Sequence, residues 1–115
     1  MAKKVLCIDD DQDTCEMMII LLGQSGYEVI HAPTVAEGFM LARKGGFDLI
    51  ILDWHFKDGT GIELCQMIRT FDPKTPILFY SGAAYQQDME KAMKVGAQGY
   101  LVKPTGLTHL IQAIT

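Results

Sequence analysis

The chain has 115 residues, of which 49% are hydrophobic and 21% are charged, and its formal net charge at pH 7 is −4. This length allows one domain, and this hydrophobic content is enough for a core, which excludes an intrinsically disordered protein. No apolar run reaches the roughly 18 residues of a membrane span, and the negative charge argues against direct binding of nucleic acid or of an anionic membrane.

Five short apolar runs recur along the chain, and each predicts a buried β-strand. In chain order they are residues 5–8, 27–31, 47–52, 77–80 and 99–102. The third run is apolar at nearly every position, which is typical of a central parallel strand covered on both faces.

The segments between these runs carry helix start and stop signals. Thr34 and Thr60 each precede a glutamate by three residues, which is the spacing of a capping box at a helix N-terminus. Glycines stand where a helix end favours a left-handed residue, at positions 26, 45 and 96. Residues 107–114 carry the apolar stripe of a last helix. The alternation of strands and helices predicts an α/β fold with a parallel, doubly wound sheet.

Polar residues follow four of the predicted strands. Residues 9–11 are three aspartates after the first strand, Asp53 ends the third, Ser81 ends the fourth and Lys103 follows the fifth. Because the carboxyl ends of parallel strands meet at one edge of a sheet, we expect these side chains to lie close together. Clustered carboxylates repel each other, and an oxygen-only cluster suits a hard cation such as Mg²⁺. The simpler interpretation, that the aspartates cap helices, applies to Asp11.

The same acids exclude a nucleotide-binding loop after the first strand, because they would repel a phosphate. The three cysteines, Cys7, Cys15 and Cys65, lie in apolar segments and fit neither a disulfide framework nor a zinc site. We interpret them as reduced core thiols, which predicts a cytoplasmic protein.

Five segments in order resemble the receiver domain of two-component response regulators, the family of the bacterial chemotaxis regulator. They are residues 5–11, 48–53, 58–61, 76–81 and 96–104. The resemblance covers essentially the whole chain and implies one receiver domain over residues 1–115, with a flavodoxin-like (βα)5 fold and strand order 2-1-3-4-5. Since the last apolar stripe ends at Ile114, we expect the last helix to be shorter than in a complete receiver.

The resemblance also implies a role for each polar residue of the sheet edge. Asp53 would be the phosphoacceptor, and its carboxylate would form an acyl phosphate. Asp9 and Asp10 would hold Mg²⁺ together with Asp53 and the backbone carbonyl of His55. Lys103 would pair with the phosphoryl group.

A switch is implied as well. Ser81 would donate its hydroxyl to the phosphoryl group, and Tyr100 would turn from an exposed to a buried rotamer. This movement would change the surface formed by the fourth helix, the fifth strand and the fifth helix. The peptide bond between Lys103 and Pro104 is typically cis in this family.

Some positions depart from the family pattern. Lys57 stands where proline is common, Thr105 stands where phenylalanine is frequent, and Trp54 and His55 are bulky for positions next to the acceptor. Two interpretations of His55 stay open: it supplies only its backbone oxygen, or its imidazole alters the lifetime of the acyl phosphate.

The function implied is a phosphorylation-activated switch that catalyses only its own phosphorylation and dephosphorylation. Its expected partners are a histidine kinase or histidine phosphotransfer domain and an output domain or partner protein, with homodimerisation left open and no direct contact with nucleic acid or membrane. One alternative is a degenerate receiver used for protein contact, which would lack an acid or the lysine. The other is a haloacid-dehalogenase-like phosphatase, which needs an aspartate where His55 stands.

Overall fold

A computed structural model of the chain describes residues 3–82 and 86–103. In chain order, its elements are β1 (Lys3–Ile8), α1 (Gln12–Gln24), β2 (Tyr27–Ala32), α2 (Val35–Lys44), β3 (Leu49–Leu52), β4 (His55–Phe56), β5 (Gly59–Thr60), α3 (Gly61–Arg69), β6 (Ile77–Ser81), α4 (Gln86–Lys94) and β7 (Gly99–Val102). Within these residues, no helix is both long and apolar enough to cross a membrane.

The main sheet has five parallel strands in the order β2-β1-β3-β6-β7. Counted as the five long strands, this is the predicted order 2-1-3-4-5, so the predicted fold class is confirmed. A small antiparallel hairpin of β4 and β5 was not predicted, and it lies between β3 and α3. The predicted last helix and the peptide bond to Pro104 lie outside the described residues.

The third strand begins two residues later than predicted, at Leu49 rather than at Phe47. Asp48 explains the difference, because it pairs with Lys4 through its side chain as well as its backbone. The Asp48 amide donates to the Lys4 carbonyl at 2.8 Å, and the Asp48 carboxylate accepts from the Lys4 amide at 2.8 Å. The side chain thus replaces the regular strand pairing at this point.

The sheet is covered on both faces, and each face has its own buried cluster. On β1, Val5 and Cys7 pack towards α1, whereas Leu6 and Ile8 pack towards α2 and α3. This alternation follows from the two-residue period of a strand. Because both faces are buried, the central strand β3 is apolar at every position. All three cysteines are buried and free, as predicted.

The predicted helix caps are confirmed. The Asp11 side chain accepts a hydrogen bond from the backbone of Asp13 at the start of α1. Thr34 and Thr60 accept from the third-residue amides of α2 and α3, at 3.1 and 3.2 Å. These bonds satisfy amides that have no partner within the helix.

Asp58 provides a further cap that the sequence did not reveal. It lies in the turn between β4 and β5, and its two carboxylate oxygens accept from the amides of Val35 (3.0 Å) and Ala36 (3.2 Å). The bond from the Val35 amide, followed by that from Ala36, holds the pKa of Asp58 below its ordinary value. The hairpin that follows Asp53 is therefore tied to the N-terminus of α2.

This cap predicts a pH-dependent loss of stability in Asp58→Asn. The asparagine carries no charge for the helix N-terminus and has a single acceptor oxygen, so we expect a lower urea midpoint at pH 7. Because folding lowers the pKa of Asp58, its stabilisation is present above the ordinary value of 3.8 and is lost as the pH falls through the lower folded value.

The difference in urea midpoint between Asp58→Asn and the wild type should therefore disappear as the pH falls below about 4. Glu28→Gln removes an exposed carboxylate on β2 and is the control, for which we expect almost no change at either pH. If the urea midpoint of Asp58→Asn lies below that of the wild type by the same amount at pH 7 and at low pH, this account of the cap is contradicted.

Candidate functional site

Three carboxylates converge at the carboxyl-terminal edge of the sheet. One oxygen from each of Asp9, Asp10 and Asp53 lies within 4.8 Å of the others. The pairing of β1 with β3 produces this convergence, since Ile8 lies beside Leu52 and the Asp53 amide donates to the Ile8 carbonyl at 3.0 Å. The structure thus brings together three acids that the order of strands predicts at one edge of the sheet.

Lys103 reaches the same cluster from the end of β7. Its Nζ lies 2.7 Å from Asp9 Oδ2 and 3.5 Å from Asp53 Oδ2. Its backbone amide donates to the Ser81 carbonyl at 2.8 Å, which continues the pairing of β6 with β7 and fixes the base of the side chain. Burial alone would lower the pKa of Lys103, but its hydrogen bond to Asp9 and the charges of Asp9 and Asp53 outweigh burial and raise it.

Asp9 is the most buried acid of the cluster, with 2% of its surface exposed. Burial raises the pKa of its carboxyl to about 6, even though Lys103 and the backbone amide of Asp11 both donate to it. The negative charge of Asp53 acts in the same direction. One ammonium group therefore does not balance the three acids, and the cluster is disposed to take another cation.

The chemistry of the donor atoms indicates which cation fits. All three side chains offer carboxylate oxygens, and hard divalent ions such as Mg²⁺ prefer oxygen ligands. Asp10 is exposed and Asp53 is half-buried, so part of the cluster faces solvent. This arrangement fits Mg²⁺, which usually keeps several water ligands and takes only one or two carboxylates.

The backbone of Asp9 is also held in place. Nε2 of His31 lies 2.8 Å from the Asp9 carbonyl oxygen, and the Cys15 thiol donates to the same oxygen at 3.6 Å. The Asp9 amide donates to the Ala32 carbonyl at 3.0 Å. No sequence pattern indicates a role for His31 at the site, because its proximity to Asp9 follows from the register of β1 with β2.

Asp53 is positioned by the residues that follow it. Its Oδ1 accepts from the backbone amide of Trp54 at 2.7 Å, and the Trp54 carbonyl accepts from the Gly61 amide at 2.7 Å. A Cβ atom at Gly61 would clash with the backbone oxygen of Asp53 and would lie 2.9 Å from the Phe79 ring. Only glycine allows α3 to begin this close to Asp53.

Ser81 and Tyr100 are linked beside the cluster. Ser81 ends β6 with 2% of its surface exposed, and its side chain is close enough to Tyr100 to act on the pKa of that tyrosine, which it lowers. The Tyr100 ring stacks on Phe79 with centroids 5.9 Å apart and lies 6.1 Å from the Trp54 ring. Burial raises the pKa of Tyr100. The ring is therefore already half-buried, and its expected movement stays a prediction.

His55 lies on β4 with an exposed side chain, and its ring meets the Trp54 ring edge-on at 6.4 Å between centroids. The two interpretations of this residue, backbone ligand or modulator of the acyl phosphate, both stay predictions.

Comparison with known proteins identifies the family. The family model of the response regulator receiver domain matches residues 5–115. The chain belongs to this family. Receiver domains of this family act in two-component signalling, so the resemblance is confirmed and is favoured over the phosphatase alternative.

The chain is similar to the nisin biosynthesis regulatory protein NisR of Lactococcus lactis subsp. lactis, with 32% identity over 99% of this chain and 49% of that protein. It is also 32% identical to the transcriptional regulatory protein CusR of Escherichia coli K12, over 96% of this chain and 49% of that protein. The chain thus spans about half the length of these relatives.

Solved receiver structures are similar over nearly the whole chain. A CheY-like receiver from Methanospirillum hungatei JF-1 has a TM-score of 0.94 and 27% identity, covering 99% of this chain and 91% of that one. The chemotaxis protein CheY4 of Vibrio cholerae has a TM-score of 0.93 and 32% identity, covering 99% and 97%. A response regulator of Burkholderia pseudomallei, solved with a phosphorylated aspartic acid and a calcium ion, has a TM-score of 0.91 and 29% identity, covering 98% and 66%.

The close approach at Gly61 predicts that Gly61→Ala lowers the free energy of unfolding by about 1–3 kcal/mol, because the new methyl group would displace the Asp53 backbone or the start of α3. Gly23→Ala is the matched control. It lies in α1 with no atom within 4 Å of its added Cβ, so we expect it to stabilise by about 0.4–1 kcal/mol. Urea unfolding measures both, and a Gly61→Ala variant as stable as the wild type would contradict the contact.

Proposed function

We propose that this receiver domain, over residues 1–115, is a phosphoacceptor switch. It takes a phosphoryl group onto Asp53 from a histidine kinase or a histidine phosphotransfer domain, in a magnesium-dependent reaction, and thereby controls an output domain or a partner protein. The observation that carries the proposal is the convergence of Asp9, Asp10 and Asp53, with the Lys103 ammonium paired to Asp9 and Asp53.

Asp53 would act as the nucleophile. One of its carboxylate oxygens forms a bond to phosphorus while the bond from phosphorus to the donor's imidazole nitrogen breaks, and the electron pair of that bond leaves with the nitrogen. Water later attacks the phosphorus, which releases inorganic phosphate and regenerates the carboxylate. The half-buried position of Asp53 supports this role, because a donor can reach it from solvent. The Trp54 amide, 2.7 Å from Oδ1, would keep the carboxylate oriented.

Two sources of positive charge would act on the transferred group. Lys103 places its ammonium within reach of Asp53 and can donate N–H groups to the phosphoryl oxygens. Asp9, Asp10 and Asp53, with the backbone carbonyl of His55, would hold Mg²⁺, which when bound offsets negative charge on those oxygens. The Burkholderia pseudomallei relative, which carries both a phosphorylated aspartic acid and a calcium ion, supports both parts of this proposal.

The conformational change that follows phosphorylation would be transmitted from Ser81 to Tyr100. Phosphorylation adds negative charge beside Ser81, whose hydroxyl would turn to donate to a phosphoryl oxygen. The Ser81 side chain is close enough to Tyr100 to lower its pKa, so a movement of Ser81 would change the environment of the Tyr100 hydroxyl. Tyr100 lies on β7 next to α4, and this surface would carry the signal to the output.

The controlled element would be an output domain or a separate partner protein. CusR is named a transcriptional regulatory protein, and the segment that matches this chain is 49% of its length. The name and the remaining length of CusR support the proposal of an output domain. The chain itself would act only on its own Asp53 and not on an external substrate. Its three buried, free cysteines support a cytoplasmic location, where thiols stay reduced.

Incubation with Mg²⁺ and acetyl phosphate tests the proposal. We expect the intact mass of the wild type to rise by one phosphoryl group, and we expect hydroxylamine to remove that group because it attacks the acyl carbon of an acyl phosphate. Asp53→Asn keeps the shape of the side chain but loses the nucleophile, so we expect no addition. Asp13→Asn changes an exposed acid on α1 and should be modified like the wild type.

The fluorescence of Trp54, the single tryptophan of the chain, gives an independent measure because Trp54 directly follows Asp53. A wild type that takes no phosphoryl group, or an Asp53→Asn variant that is modified equally, would rule out the proposed function.

A further inference from the structure

A tyrosine beside the cluster has no role in the function proposed above. Tyr80 lies on β6 directly before Ser81, and 2% of its surface is exposed. Its ring faces the Lys103 ammonium, with Nζ 5.6 Å from the ring centroid. This separation is within the roughly 6 Å over which a cation is attracted to the face of an aromatic ring.

The Tyr80 ring is fixed in place by packing. It belongs to the buried cluster on the α1 face of the sheet, together with residues of β1 and α1 such as Cys7 and Met18. Its partner across the β6–β7 pairing is Leu101, which packs against the same cluster. Lys103 follows two residues later, and its amide bond to the Ser81 carbonyl fixes its backbone relative to Tyr80.

Lys103 needs such a support because its charge is carried on a flexible stem of four carbons. The carboxylates of Asp9 and Asp53 attract the ammonium, at 2.7 and 3.5 Å. The ring face of Tyr80 adds a rigid surface of negative potential that an aliphatic residue would not provide. Two negatively charged carboxylates and one ring face of negative potential therefore define the position of the Lys103 ammonium.

We propose that Tyr80 is a positioning residue: its buried ring face holds the Lys103 ammonium between Asp9 and Asp53, and this placement sets the rate at which the acyl phosphate forms on Asp53. The inference rests on the proposed phosphoacceptor function. Tyr80 does not touch the reacting atoms and acts only through Lys103.

The rate of phosphorylation by acetyl phosphate distinguishes the contribution of the Tyr80 ring from that of its hydroxyl. Tyr80→Phe keeps the ring face, so we expect its rate to stay within about twofold of the wild type. Tyr80→Leu keeps an apolar side chain but loses the ring, so we expect a rate lower by roughly three- to tenfold. Equal rates for the two variants would overturn the proposal.

A double-mutant cycle in urea unfolding, without metal or phosphodonor, tests the contact itself. The effect of Tyr80→Leu on the unfolding equilibrium constant is measured in the wild type and in a Lys103→Met background. We expect its effect on the unfolding equilibrium constant to be smaller, by roughly three- to tenfold, when the ammonium is absent. An effect of equal size in both backgrounds would mean that Tyr80 only fills space, and it would overturn the proposal. Tyr80→Met replaces Tyr80→Leu if the leucine variant does not fold.

The two measurements also separate this inference from the proposed function. If the wild type takes no phosphoryl group, the proposed function fails and the role of Tyr80 in the rate fails with it, whatever the unfolding cycle gives. If the wild type is phosphorylated and Tyr80→Leu is as fast as Tyr80→Phe, only the inference about Tyr80 fails.

Discussion

The repulsion among three carboxylates at one edge of the sheet is the constraint on which the rest of the site depends. Oxygens of Asp9, Asp10 and Asp53 lie within 4.8 Å of one another, and only one ammonium, that of Lys103, is paired with them in the described part of the chain. Burial adds to the cost of ionising Asp9 and raises its pKa to about 6. A site of this kind is stabilised by an added cation and is changed strongly by an added phosphoryl group.

The fold holds these charges together against their repulsion. The pairing of β1 with β3 places Asp9 beside Asp53, and the pairing of β6 with β7 places Lys103 beside both. Gly61 lets α3 begin against the Asp53 backbone. On the other side of the cluster, Ser81 and Tyr100 connect the charged edge to the aromatic rings of Trp54 and Phe79. A change in charge at Asp53 would therefore act on side chains that already contact one another and that lead to the surface of β7 and α4.

Much of this arrangement could be predicted from the sequence, because it follows from local patterns and one rule of topology. The apolar runs predicted the five strands, and the capping residues Asp11, Thr34 and Thr60 predicted three helix starts. The rule that parallel strands end at one edge predicted the convergence of Asp9, Asp53 and Lys103.

Contacts between residues far apart in the chain could not be predicted in this way. The cap that Asp58 provides to α2, the bond from His31 to the Asp9 carbonyl and the approach of Tyr80 to Lys103 all depend on strand register and on the path of a turn. Asp48 shows the same limit on a smaller scale, since its side-chain pairing with Lys4 makes the third strand begin later than the apolar pattern indicated.

The response of stability to Mg²⁺ tests the central claim most directly. Thermal unfolding is compared in chelator and in Mg²⁺ for the wild type, for Asp10→Asn in the cluster and for Asp13→Asn outside it. If the unbalanced acids form a cation site, Mg²⁺ at ten times its dissociation constant should stabilise the wild type and Asp13→Asn by about 1.4 kcal/mol. Asp10→Asn should respond much less and should be at least as stable as the wild type in chelator. A wild type that does not respond to Mg²⁺, or an equal response in Asp10→Asn, would contradict the account.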